Sequence, residues 1–127
     1  MTTDGRTTKR RKARSFGQIA EWVALLAMVL RGYRILGRNY LAPGGEIDLI
    51  ALRGSTICFV EVKARPQLEN AQTAINPQKQ ARVARAVGFW LSQNRWARDY
   101  NKRADAIFIA PWRWPLHIVG AFDLDLR

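Results

Sequence analysis

The feature that most constrains this chain is the segment 45–65, GEIDLIALRGSTICFVEVKAR. Two runs of Ile, Leu, Val and Phe flank Arg53-Gly54-Ser55-Thr56, the pattern of a β-hairpin. A turn centred on Gly54 and Ser55 pairs Arg53 with Thr56, and therefore Leu52 with Ile57 and Ile50 with Phe59. Carried further, this register sets Asp48 opposite Glu61 and Glu46 opposite Lys63. Side chains alternate along a strand, so all four charged residues share one face. Opposed Cβ atoms lie about 4.5–5.5 Å apart, and like charges there are destabilising. Two carboxylates at roughly 4 Å repel by about 1 kcal/mol in water and about 4 kcal/mol near a protein surface. A sheet that carries this cost needs something to offset it.

A hard divalent cation, Mg²⁺ or Mn²⁺, meets the need. Mg²⁺ takes oxygen ligands, usually one or two carboxylates with water and substrate phosphates. Asp48 and Glu61 would hold it, and a backbone carbonyl such as that of Val62 could add a ligand. Lys63, beside a bound phosphate, would position an attacking water or stabilise developing charge. Glu21 interrupts an otherwise apolar helical stretch, beside Gly17, Ala24 and Met28, and is the further acid candidate. Glu46 is a secondary candidate, or simply an ion-pair partner for Lys63 or a nearby basic side chain. The competing reading of the whole set is a structural salt-bridge cluster.

The rest of the chain reads as alternating elements. Ser15 is an N-cap candidate for a helix over about 16–31, with Phe16, Ile19, Ala20, Val23, Ala27 and Leu30 on one face and Gly32 as its stop. A strand over 33–41 precedes the hairpin strands, about 46–52 and 57–64. A loop over 65–76 leads to Asn76-Pro77, a strong helix start. That helix runs to about Ser92, with Val83, Ala84, Val87, Trp90 and Leu91 inward. Strands follow over 104–110 and 116–124. The order α-β-β-β-α-β-β suits a mixed sheet flanked by two helices.

The formal net charge is +11, which suits nucleic acid, a ribosome or an anionic membrane as partner, or simply a solvated basic surface. Residues 1–14 hold six basic residues against Asp4, a net +5, and leave +6 for the remainder. With almost no apolar content, this segment reads as a disordered arm ahead of a single domain over 15–127. Its Lys9, Arg10, Arg11, Lys12 and Arg14 are candidate phosphate contacts, as are Lys79, Arg82 and Arg85 on the second helix. The apolar run after the arm is too short to span a bilayer, so no membrane partner is expected. One cysteine, Cys58, excludes an intramolecular disulfide and suits the cytoplasm. Cys58 and His117 read as structural residues, and Trp22 and Trp90 as core. The loop PWRWP (111–115) could stack on unpaired bases, cap the sheet or form a dimer contact.

GEIDLI followed by FVEVKAR resembles the YraN-like family of small bacterial proteins, from about Phe16 to Phe122. That family is similar to the PD-(D/E)xK nucleases, which include the archaeal Holliday-junction resolvases. The resemblance implies a restriction-endonuclease-like α/β fold, a three-layer α-β-α core with a mixed central sheet of about five strands. It also implies that Glu21, Asp48, Glu61 and Lys63 are the metal and catalytic residues. Lys79 matches the family in the second helix. Ile47 replaces the proline of the superfamily motif, and no ligand is lost. Ala104 and Gly120 depart from the family's Phe and Asn. The function implied is a Mg²⁺- or Mn²⁺-dependent endonuclease acting on branched, flap or single-stranded nucleic acid, DNA rather than RNA, with a homodimer by analogy. The alternative is a non-catalytic, basic nucleic-acid-binding module on the same fold.

Overall fold

The computed structural model describes the backbone of residues 5–65 and 75–126, and side chains from Phe16 onward. Helix α1 (Gly5–Leu30) lies on one face of a five-stranded sheet formed by β1 (Arg34–Ala42), β2 (Gly45–Arg53), β3 (Thr56–Ala64), β4 (Asn101–Ile109) and β5 (Leu116–Phe122). Helix α2 (Pro77–Gln93) covers the other face and is followed by a short 3-10 helix at Arg95–Asp99. Strands β1 to β3 form an antiparallel meander. Strand β4 runs parallel to β3, and β5 antiparallel to β4. A parallel neighbour needs a crossover, and α2 supplies it. The result is the expected three-layer α-β-α arrangement.

The two cores follow from strand alternation. Leu49, Ala51, Cys58, Val60, Ile107 and Ile109 pack against Ala20, Ala24 and Met28 of α1. Ile50, Ile57 and Phe59 pack against Val83, Ala86, Val87 and Trp90 of α2. The register of the hairpin is the predicted one from Arg53↔Thr56 to Leu49↔Val60. Asn76 caps α2 through its side chain, which accepts from the Lys79 amide at 2.9 Å, ahead of Pro77. Gly32, at φ 87°, closes α1, with the Tyr33 amide donating to the Met28 carbonyl and that of Gly32 to Val29. This is the left-handed helix end that glycine favours.

Three expectations need correction. Helix α1 begins at Gly5, not after Ser15, so its backbone continues through most of the segment expected to be disordered. Arg and Lys are good helix formers, and the segment holds no proline. The side chains of Lys9, Arg10, Arg11, Lys12 and Arg14 lie outside the described residues, as do positions 66–74 of the expected loop. The inward face of α1 is the Ala20–Ala24–Met28 row rather than the row containing Ile19 and Leu30, which are exposed. Small residues let the helix approach the sheet, and α1 is apolar nearly all round between Ile19 and Leu30, so periodicity alone mislaid its face. For the same reason Trp22 is not core, while Trp90 is.

Candidate metal and catalytic site at the fork of the sheet

Strands β2 and β3 stop pairing at Leu49↔Val60. Beyond that point β2 continues beside β1 alone, and β3 beside β4 alone. Asp48 and Glu61 stand at the mouth of this fork. They are therefore not a ladder pair, as the extended register implies. The Asp48 side chain instead enters the gap, and its Oδ2 accepts from the Val62 amide at 2.8 Å. A carboxylate thus takes the place of a missing strand partner.

The acids act on one another. Burial pushes the Asp48 carboxyl up, the Glu61 charge adds to this, and Glu46 and Glu21 contribute further. The Val62 amide opposes them, and the net value is about 7. Glu61 is buried and faces two lysines. Lys63 Nζ lies 3.5 Å from its Oε1, and Lys79 Nζ donates to the same oxygen at 3.2 Å. Lys63 is itself only 3% exposed. Burial, with the neighbouring Lys79 ammonium, lowers its pKa to about 8, against the pull of Glu61. Burial also acts to lower Lys79, but its contacts with Lys63 and Glu61 outweigh this and shift it upward.

Helix α2 brings the basic side chains to this point. Gly45 makes the approach possible: a Cβ there would stand 2.1 Å from the Arg82 carbonyl oxygen. Glu46, Glu61, Lys79, Arg82 and Val83 line one small recess, with Arg82 3.6 Å from Glu46. Arg85 does not join them. Its Nε donates to the Gly44 carbonyl at 2.8 Å, and it lines an open groove of about 700 Å³ on the outer side of α2. Glu21 reaches the fork from α1. Asn39 Nδ2 donates to its Oε2 at 3.2 Å. Asn39 lies between the Arg38↔Leu49 and Tyr40↔Ile47 pairs, level with Asp48, at φ 50°.

Among the described residues no three His, Cys, Asp or Glu side chains come together in a group that could hold a metal ion. The donor set fits a more open site. Two carboxylates are what Mg²⁺ takes when water and substrate phosphate supply the rest. Burial raises the Asp48 pKa first and the Glu61 charge second, and a bound cation would offset both by favouring the charged carboxylate.

Sequence reasoning missed Asn39, Gly45 and the Val62 amide. A lone Asn or Gly in a strand carries no signal for such contacts. It also missed a second buried cluster. Asp105 is fully buried and accepts from Arg103 Nε at 2.8 Å, Arg103 Nη2 at 2.9 Å and the Gly120 amide at 3.0 Å. His117 Nε2 stands 2.8 Å from Asp105 Oδ2, and its Nδ1 stands 2.7 Å from Arg31. Arg103 also donates to the Tyr33 hydroxyl at 2.7 Å and to Cys58 Sγ at 3.0 Å. Burial acts to raise Asp105, but Arg103, His117 and Gly120 hold its carboxyl well below the usual range. No buried side-chain polar atom among the described residues lacks a partner, so this cluster reads as the structural tie between β4, β5 and the end of α1.

Residues 20–109 match the family described as uncharacterised protein family UPF0102. A UPF0102 protein of Methylobacterium nodulans is 50% identical over 124 residues, 97% of this chain and 96% of that protein. One from Methylocella silvestris is 51% identical over 116 residues, 91% of this chain and 94% of that protein. One from Methylorubrum populi is 53% identical over 116 residues, covering 91% and 93%. No helix among the described residues is long and apolar enough to cross a membrane. The match spans both helices, the fork and the parallel strand pair, and the chain belongs to the UPF0102 family.

Proposed function

We propose that this protein is a Mg²⁺- or Mn²⁺-dependent nuclease that hydrolyses phosphodiester bonds at the β2–β3 fork. The observation that carries the reading is the meeting of Asp48, Glu61 and Lys63 where the strands part, with Asp48 held at about pKa 7 by burial and by its acidic neighbours. Asp48 and Glu61 are the residues that would hold the cation, with Glu21 nearby to orient water or a second ion. When bound, the cation supplies charge neutralisation at the scissile phosphate and acidifies a water. The chain's own residues do the remaining work. Lys63 presents a buried ammonium to the phosphate and stabilises charge as it develops, where low dielectric makes the contact strong. Lys79, which donates to Glu61, would add a second ammonium beside the phosphate. Arg82 and the basic residues of α1 supply sequence-independent phosphate attraction.

The metal and catalytic residues are those of a PD-(D/E)xK enzyme, and the three-layer fold agrees with that assignment. Branched, flap and single-stranded DNA are the substrates we favour. One observation supports a second reading. Glu61 already has two lysine partners within 3.5 Å, so the cluster is partly neutralised without a cation. That would suit a basic nucleic-acid-binding module without catalysis.

Incubation of the purified protein with labelled single-stranded, duplex, flap and four-way-junction DNA, and with RNA, separates the two. The nuclease reading predicts cleavage in Mg²⁺ or Mn²⁺ and none in EDTA. Metal-independent, salt-sensitive binding without cleavage of any substrate supports the binding module instead.

A further inference from the structure

We propose that Trp22 and Arg38 form a stacking subsite for an unpaired nucleobase, immediately beside the acid cluster. The inference deepens the nuclease reading and rests on it for the chemistry next door. Trp22 is 56% exposed, unusual for an indole that is meant to serve packing. The Arg38 guanidinium lies 4.3 Å from the ring centroid, over one face. That contact orients the indole, and more than half of the residue's surface remains open to solvent. A flat, oriented aromatic face beside a cation is the arrangement that receives a nucleobase and its phosphate together.

Its position gives the subsite meaning. Glu21 and Trp22 are consecutive on α1, and Arg38 and Asn39 are consecutive on β1. Asn39 holds Glu21, and Arg38 holds Trp22, so two adjacent cross-links clamp the same two segments. The stacking face is thus tied to the wall of the acid site at one residue's remove. Ile19 and Leu26, also exposed, flank Trp22 at three and four residues along the helix and extend the apolar surface. Within a duplex the base faces are already stacked and cannot reach an indole. A single strand or a frayed branch offers them freely, whatever its sequence. The subsite therefore selects unpaired nucleotides near the phosphate to be cut. Trp112 and Trp114 are more exposed still, but neither stands beside the acid cluster; Trp114 lines a separate groove with Leu26, Leu30 and Arg31.

The test uses the full chain in EDTA, so that binding is read without cleavage. Fluorescence anisotropy would follow a labelled oligo-deoxythymidine and a blunt-ended DNA duplex of equal charge. Trp22→Leu should weaken binding of the single strand by about 5- to 150-fold, the range of base–aromatic stacking. Duplex binding should stay within about twofold, since phosphate contacts are untouched. Trp22→Phe should keep most of the single-strand affinity, and Trp22→Gln should repeat the loss with a more soluble side chain. Single-strand binding that survives both Trp22→Leu and Trp22→Gln would overturn the proposal. So would an equal loss on both probes, and the exposed stripe would then be a protein-docking surface. Cleavage is scored separately in metal, so an inactive wild type would refute the nuclease reading while leaving the stacking result to stand.

Discussion

Asp48→Asn should make the metal-free protein more stable above neutral pH, an unusual result for a residue in the middle of the sheet. The side chain accepts from the Val62 amide, and an asparagine oxygen can do the same. What the substitution removes is charge. Folding raises the Asp48 pKa from 3.8 to about 7, so the folded state resists ionisation that the unfolded chain allows. The sign follows: below about pH 4 the group is protonated in both states and contributes nothing. As pH rises from about 4 to 7 the unfolded state ionises first, and stability is lost across that window. Above it the full cost is present, on the order of 4 kcal/mol. Asp48→Asn should recover about 2–4 kcal/mol at about pH 8 in EDTA, and little at about pH 4. Urea denaturation at several pH values would measure the difference. Saturating Mg²⁺ should narrow it, because a ligand of the folded state stabilises the wild type alone. A variant less stable than wild type at pH 8, or a difference that does not change with pH, would refute the reasoning. The acids would then be structural ion pairs.

Two other perturbations probe the frame. Gly45→Ala drives a methyl group against the α2 backbone and should cost at least about 1–3 kcal/mol by thermal or chemical denaturation, because backbone cannot give way as a flexible side chain does. A cost within about 0.5 kcal/mol would show that α2 sits further from β2. Asp105→Ala leaves Arg103 without its carboxylate in the second cluster and should destabilise by about 3–5 kcal/mol. If it proved neutral, that cluster would not be the tie described here.

Much of this was legible in the chain itself. A two-residue turn at Gly54-Ser55 is enough to set the hairpin register, and Asn76-Pro77 is enough to start α2, because both depend on local backbone preferences. The acidic constellation was visible for a related reason: four charged residues among strand-forming neighbours are conspicuous. The fork that positions them was not. Where a ladder ends depends on how two strands are drawn apart by β1 and β4, which are distant in sequence. Trp22 was misplaced because α1 is apolar on nearly every side, and only the close approach of Ala20 and Ala24 decides which side is covered. Asp105 was not singled out and His117 was read only as a structural residue, because the cluster joins β4 and β5 to the distant segment Arg31–Tyr33. The Asn39–Glu21 link depends on a left-handed residue inside a strand, which composition does not announce.

The central claim is that the fork cuts nucleic acid through Lys63 and its acidic neighbours. The most direct test is single-turnover cleavage of the best substrate in Mg²⁺ by wild type, Lys63→Ala and Asp48→Asn, prepared identically. The account predicts metal-dependent cutting by the wild type. It predicts a loss of at least about 100-fold in Lys63→Ala, the scale of removing one preorganised charge stabiliser, and a comparable loss in Asp48→Asn with binding retained. Equal cutting by all three proteins, or none by the wild type on any substrate in either metal, would contradict it.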